Sequence, residues 1–226
     1  MSYILAKDLV KHYGKGEGIV EAVRGMSFAI DSGEFVAVMG ESGAGKSTVL
    51  SIMGAMNAPT AGRYAVDGID VYELKREKRA DFRREFLGFV FQSFHLIPYL
   101  TVMENVLLPL AIVKARAKEK IMMAEEALVR VGMAEKADRL PGRISGGEKE
   151  RVAIARAIVN EPPVLMADEP TGNLDSKTSR SVMDLLKKLN RQGMTIVMVT
   201  HSYECAGYAR RILHMADGRL QEVCAG

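Results

Sequence analysis

Gly40-Glu41-Ser42-Gly43-Ala44-Gly45-Lys46-Ser47 fits the spacing G-x-x-x-x-G-K-[ST] without exception. Glycines in such a loop let main-chain amides turn inward around phosphate oxygens, where a Cβ would obstruct the approach. Lys46 is then expected to bridge β- and γ-phosphates, and Ser47 to ligate Mg²⁺ through its hydroxyl. The loop predicts nucleotide binding and leaves open the work done with it. Val164-Leu165-Met166-Ala167-Asp168-Glu169 adds two carboxylates at the end of an apolar run, the place where ligands of open α/β sheets bind. Asp168 is expected in the Mg²⁺ shell, and Glu169 is placed to orient or deprotonate an attacking water. The bland reading, an acidic surface turn stopped by Pro170, loses its weight once the loop at 40–47 is present. Three single residues extend the set. Gln92 follows an apolar run and would reach Mg²⁺ or the water; His201 follows another and would bond a γ-phosphate oxygen; Tyr13 would stack on adenine. Ile144-Ser145-Gly146-Gly147-Glu148 forms a Ser-x-x-Glu capping box. The helix it opens, expected over Glu148–Asn160, starts on two bare glycines whose amides an anion can reach.

These residues need elements to hold them. Phe35–Met39, Phe86–Phe91, Val164–Ala167 and Thr195–Thr200 are short apolar runs suited to parallel strands buried on both faces. The segment Gly45–Met56 is the expected helix after the loop. Val182, Leu185, Leu186 and Leu189, like Ala124, Ala127, Leu128 and Val131, recur at helical spacing. Asp67-Gly68 and Asp217-Gly218 are hairpin signals, which add antiparallel pieces to a parallel core. Between Gln92 and Ser145 only helical pattern is found, so a helical lobe inserted in an α/β core is expected. At 226 residues with 48% hydrophobic and 26% charged residues, the chain suits one large globular domain. No apolar run approaches the roughly 18–20 residues of a membrane span, and no signal peptide is visible at the start. Cys205 and Cys224 make neither a disulfide framework nor a metal cluster. A net charge of +3 is too small to imply a nucleic-acid partner, and none is expected. The basic stretch Lys75–Glu85 has two readings, a solvated helix face and a lipid-headgroup or nucleic-acid patch.

Taken in order, Tyr13, the loop, Gln92, Ser145–Glu148, Asp168-Glu169, Asn173-Leu174-Asp175 and His201 resemble the motif series of ABC-type ATPases. The family's common Leu-Ser-Gly-Gly-Gln is changed here at Ile144 and at Glu148. The resemblance implies a P-loop NTPase of the α/β class, with a RecA-like, mostly parallel sheet, an antiparallel β subdomain and the helical lobe. Residues 1–226 are expected to be a single ABC ATPase domain, with a core over 1–92 and 161–226 and a lobe over approximately 93–160. It implies ATP and Mg²⁺ as cofactors. The implied nucleotide contacts are Tyr13, Gly40, Glu41, Ser42, Gly43, Ala44, Gly45, Lys46, Ser47, Thr48, Gln92 and His201. Ser145, Gly146, Gly147 and Glu148 would come from the other subunit of a head-to-tail homodimer, with Asp175 near its axis. Catalysis would fall to Glu169, His201, Gln92 and Lys46, and metal ligation to Ser47, Gln92 and Asp168.

A finer resemblance, carried by Phe91–Val106 and Ala167–Ser176, is to the lipoprotein-release, macrolide-export and cell-division branch. It implies a partner integral membrane permease, lipid-linked, peptide or hydrophobic cargo, and a cytoplasmic protein peripheral on the inner face of the membrane. Phe94, Leu96, Tyr99 and Leu100 would form a socket for the permease or pack the lobe's own core. Glu148 would be plain capping chemistry or a charge that loosens closure on ATP. Two other functions stand beside this one. A soluble ABC ATPase acting on DNA or ribosomes is disfavoured by the absence of sustained heptads and by the single phosphate loop. A cell-division-type subunit would use ATP to gate a membrane partner rather than to move cargo.

Overall fold

The computed structural model describes residues 2–14 and 16–225. Strands β1 (Ile4–Tyr13) and β2 (Val20–Ile30) pair antiparallel, with Ile4 opposite Ile30 and Tyr13 opposite Val20. The register shifts between Ala6 and Leu9, where Asp8 takes a φ of 49°. That bulge breaks the period-two alternation, so these long strands leave no clean pattern in the sequence. The next strand, β3 (Phe35–Met39), is buried throughout and leads through the loop into α1 (Lys46–Met53). The helix is shorter than the expected Gly45–Met56, because Ala55 adopts a φ of 54° and turns the chain. Strands β4 (Ala61–Val66) and β5 (Ile69–Asp70) follow. Their link, Asp67-Gly68, has both φ values positive, as a two-residue hairpin turn requires. The four strands make an antiparallel sheet in the order β2-β1-β4-β5.

Helix α2 (Arg76–Phe86) carries the basic stretch and passes directly into β6 (Leu87–Val90). Phe86 is therefore helical, and the strand is one residue shorter than the expected Phe86–Phe91 at each end. Several of the basic side chains are used internally. Arg83 donates to the Ala55 carbonyl, Arg79 lies over the Tyr72 ring, and Arg84 pairs with Asp81 and Glu85. Helices α3 (Val102–Leu107), α4 (Ala117–Arg130) and α5 (Gly146–Ile158) then pack on one another. Among the described residues no strand occurs between Val90 and Val164.

The chain returns to the sheet with β7 (Val164–Asp168), α6 (Ser176–Arg191) and β8 (Thr195–Thr200). It ends with α7 (Tyr203–Ala206), β9 (Arg211–Ala216) and β10 (Arg219–Ala225). The second sheet runs β10-β9-β3-β8-β7-β6, parallel except for β10. Its strands divide their side chains between two cores. Phe35, Ala37, Leu165, Ala167, Ile196 and Met198 face the helices, whereas Val36, Val38, Val164, Met166, Val197 and Val199 face α1 and the antiparallel sheet. Covering both faces explains why these strands read as unbroken apolar runs. The carboxyl ends of β3, β7 and β8 lie side by side, Met39 paired with Thr200 and Asp168 with Val199.

Candidate functional site

The loop between β3 and α1 is shaped by its own chain. A Cβ on Gly40 would lie 2.1 Å from the Met215 carbonyl oxygen, and one on Gly45 would lie 2.2 Å from that of Ala22. Gly45 also needs its φ of 97°. These two glycines let the loop seat against β9 and β2. Only at Gly43, with a φ of 84°, would a Cβ point into open space. The expectation that the glycines keep a phosphate path clear thus applies to Gly43, while Gly40 and Gly45 are required by backbone packing. No side chain caps the start of α1, so its first amides are free for an anion. Lys46, 9% exposed, donates through Nζ to the carbonyls of Gly40 at 2.7 Å and Glu41 at 2.8 Å.

An open cleft of about 790 Å³ lies over this loop. Ser42, Gly43, Gly45, Lys46, Ser47 and Thr48 line one side; Tyr13, Gln92, Asp168, Glu169 and His201 complete it. Glu41 and Ala44 border the adjoining hollow, with Gly40. Burial, with Glu169 beside it, raises the Asp168 carboxyl against the opposing pull of Lys46. Glu169 takes a φ of 48° and donates its N–H to Val199 O at 2.9 Å. A non-glycine residue in the left-handed region is held there by its surroundings and is common at functional sites. The turn aims its side chain at His201, whose Nδ1 lies 2.8 Å from Glu169 Oε1. Gln92 is anchored through its carbonyl, which accepts from Asn173 Nδ2 at 2.8 Å. Tyr13, at the end of β1, accepts from Asn57 through its hydroxyl and leaves its ring beside Lys11.

Ser145, Gly146, Gly147 and Glu148 do not line that cleft, and neither does Asp175. The capping box is present: the Ser145 N–H donates to Glu148 Oε2 at 2.8 Å, and the Glu148 N–H to Ser145 Oγ at 3.4 Å. The helix begins at Gly146, two residues before the expected start. The two glycines differ. Gly146 is exposed, but Gly147 is buried, and a Cβ there would stand 2.2 Å from Thr178 Cγ2. Gly147 thus lets the first turns of α5 and α6 touch. Asp175 caps α6, accepting from the Thr178 N–H and hydroxyl, and these bonds lower its carboxyl.

Four residues to which the sequence assigns no individual role shape the surroundings. Lys136 pairs with Glu148 Oε1. Arg156 donates to the carbonyls of Phe94 and His95, two residues with φ values of 47° and 48°. Asn105, fully buried, accepts from the Ile97 N–H and donates to the carbonyls of Ile97, Leu100 and Thr101. Glu150, 0% exposed and with both carboxylate oxygens unpartnered among the described residues, is pushed up to about 8 by burial. Only Asn105 had a local signal, a polar residue on the apolar face of the Thr101-capped helix. Of the proposed socket residues, Leu96 packs against the protein's own core, whereas Tyr99 is 77% exposed.

Residues 23–172 match the model of the family described as ABC transporter. The chain is 44% identical over 220 residues to the lipoprotein-releasing system ATP-binding protein LolD of Geobacter metallireducens, covering 97% of this chain and 98% of that one. It is 41% identical to the macrolide export ATP-binding/permease protein MacB of Hyphomonas neptunium, over 95% of this chain but 33% of that longer one. A solved dimeric, post-hydrolysis state of the ATP-binding cassette MJ0796, bound to ADP and Pi, has a TM-score of 0.89 at 41% identity, with 98% of both chains covered.

Proposed function

The chain belongs to the ABC transporter family as an ATP-hydrolysing subunit that drives a membrane permease, and we propose that its chemistry is carried by the cleft over Gly40–Thr48, completed by a second copy. Within one domain over 1–226, the core (1–92 and 161–226) carries the cleft and the lobe (approximately 93–160) carries Ser145 and Gly146. The observation that supports this division is the absence of residues 145–148 from the cleft lining despite their exposed, glycine-bearing helix start. An anion site without its own nucleotide fits a head-to-tail dimer, and the solved MJ0796 cassette is dimeric.

The free amides of α1 and Lys46 would bind the phosphates, with Lys46 moving from its own loop carbonyls to phosphate oxygens. Glu169 orients or deprotonates the attacking water. His201, which meets Glu169 Oε1 through Nδ1, would turn a ring N–H to a γ-phosphate oxygen once nucleotide is bound. Mg²⁺ fits the residues present: Ser47, Asp168 and Gln92 offer hydroxyl, carboxylate and amide oxygens, the hard donors it prefers. Among the described residues no group of three or more His, Cys, Asp or Glu could hold a metal unaided. The nucleotide's phosphates would complete its shell. When bound, the ion supplies charge neutralisation of those phosphates. Ser145 and the Gly146 and Gly147 amides would meet the γ-phosphate from the opposite copy, and Asp175 would lie near the axis. Such a site needs positioning and electrostatics rather than covalent chemistry.

The proposed cargo is lipid-linked, peptide or hydrophobic, a reading supported by relatives that bear the names of lipoprotein release and macrolide export. No described helix is long and apolar enough to cross a membrane, so attachment to the inner membrane face would come through the permease. Glu169→Gln tests the reading. It should keep ATP binding, lower turnover at least about 100-fold and accumulate an ATP-bound dimer on size exclusion. A variant that binds ATP and stays monomeric would refute the dimer.

A further inference from the structure

Glu148 presents two carboxylate oxygens with separate tasks. Oε2 accepts from the Ser145 N–H and closes the capping box, while Oε1 faces Lys136. Capping uses one oxygen, and a neutral amide oxygen would serve. The negative charge is therefore surplus to the cap. It stands three residues from the exposed Ser145, at the helix end proposed to receive the partner's nucleotide, where it opposes any incoming phosphate. Hydrogen bonding from Lys136 is the first cause that lowers the Glu148 carboxyl, so the group is ionised and its charge needs an answer. Lys136 ends the short 3₁₀ turn Ala134–Lys136 beyond α4, so tertiary structure delivers it to the start of α5. Both side chains remain partly open, at 33% and 27% exposure, on the same surface as Ser145 and Gly146.

We propose that Lys136 is a positioning residue of the composite site, neutralising Glu148 so that a phosphate on the opposite copy can dock at Ser145 and Gly146. This rests on the two-copy reading above. A purely structural ion pair, tying the exit of α4 to the start of α5, would give the opposite sign in one variant. If the pair is a staple, Glu148→Gln breaks it and weakens the dimer as Lys136→Ala does. If Lys136 screens a charge, Glu148→Gln removes the need for screening.

The test measures ATP-driven dimer dissociation constants by sedimentation in a Glu169→Gln background, for the parent, Lys136→Ala, Glu148→Gln and both together. Circular dichroism establishes that each is folded. Lys136→Ala should weaken the dimer about tenfold, with a loss that shrinks at high salt. Glu148→Gln should dimerise as tightly as the parent or more tightly, and the double variant should return to the parent's level. A double variant no better than Lys136→Ala, or a Glu148→Gln defect equal to it, would overturn the inference. So would a Lys136→Ala chain that dimerises like its parent, with the two-copy reading left standing. A parent that binds ATP yet stays monomeric would overturn both.

Discussion

The phosphate loop and the 144–148 segment use the same device, a helix entered through glycine, and finish it differently. At α1 the cap position is Gly45, no side chain covers the first amides, and a lysine, two acids, a histidine and a glutamine gather around them. At α5 the cap is Ser145, closed by Glu148 and flanked by Lys136, with none of those groups lining the same hollow. The glycines tell the same story. Gly40 and Gly45 are dictated by carbonyls of this chain, whereas Gly146 has nothing nearer than Leu174 Cδ2 at 3.3 Å. In one region the polar groups gather within a single chain; around the other, among the described residues, no such set gathers.

The largest effect should separate the two regions by binding alone. Lys46→Ala should lower single-chain ATP affinity roughly 100-fold by calorimetry, since it removes a charge-assisted contact to phosphate. Ser145→Arg should leave that affinity unchanged and stop turnover. Equal losses in both would erase the distinction between them.

A second effect concerns what lies behind α5. Glu150 is pushed up to about 8, so between the ordinary carboxyl range and pH 8 the folded chain keeps a proton that the unfolded chain has lost. Stability should therefore fall as pH rises through that window, by up to about 1.4 kcal/mol per pH unit, and level off above it. Urea unfolding at pH 5.5 and 8.5 measures the slope, and Glu150→Gln should flatten it. An unchanged slope in that variant would place the titration elsewhere.

The smallest effect lies between neighbours. Gly147→Ala drives a Cβ into Thr178 and should cost about 1–2 kcal/mol in unfolding free energy. Gly146→Ala should cost less than about 0.5 kcal/mol. A reversed order would mean that α5 and α6 do not meet at Gly147.

The chemistry-bearing residues were legible because their order along the chain follows strand ends, and strands buried on both faces advertise themselves as apolar runs. Val164–Ala167 and Thr195–Thr200 are such runs, and they deliver Asp168, Glu169 and His201 to one edge. The β1–β2 hairpin was illegible for the converse reason: the Asp8 bulge shifts the register and breaks the alternation. Long-range partners left no trace either. Lys136 and Arg156 act on groups 12 and 61–62 residues away, so nothing in their own neighbourhood marks them. The spacing marks the loop glycines, but the packing that requires two of them, a Met215 or Ala22 carbonyl pressing on a Cβ, exists only in the folded chain.

The shared site is tested most directly by mixing two inactive chains. Lys46→Ala lacks the phosphate lysine, and Ser145→Arg blocks the surface offered to the partner. Each alone should show background ATP hydrolysis. Their equimolar mixture should regain turnover, because a mixed dimer joins the intact loop of one chain to the intact Ser145 of the other. A mixture that stays at background, while both chains are folded and Ser145→Arg still binds ATP, would contradict a site built from two copies.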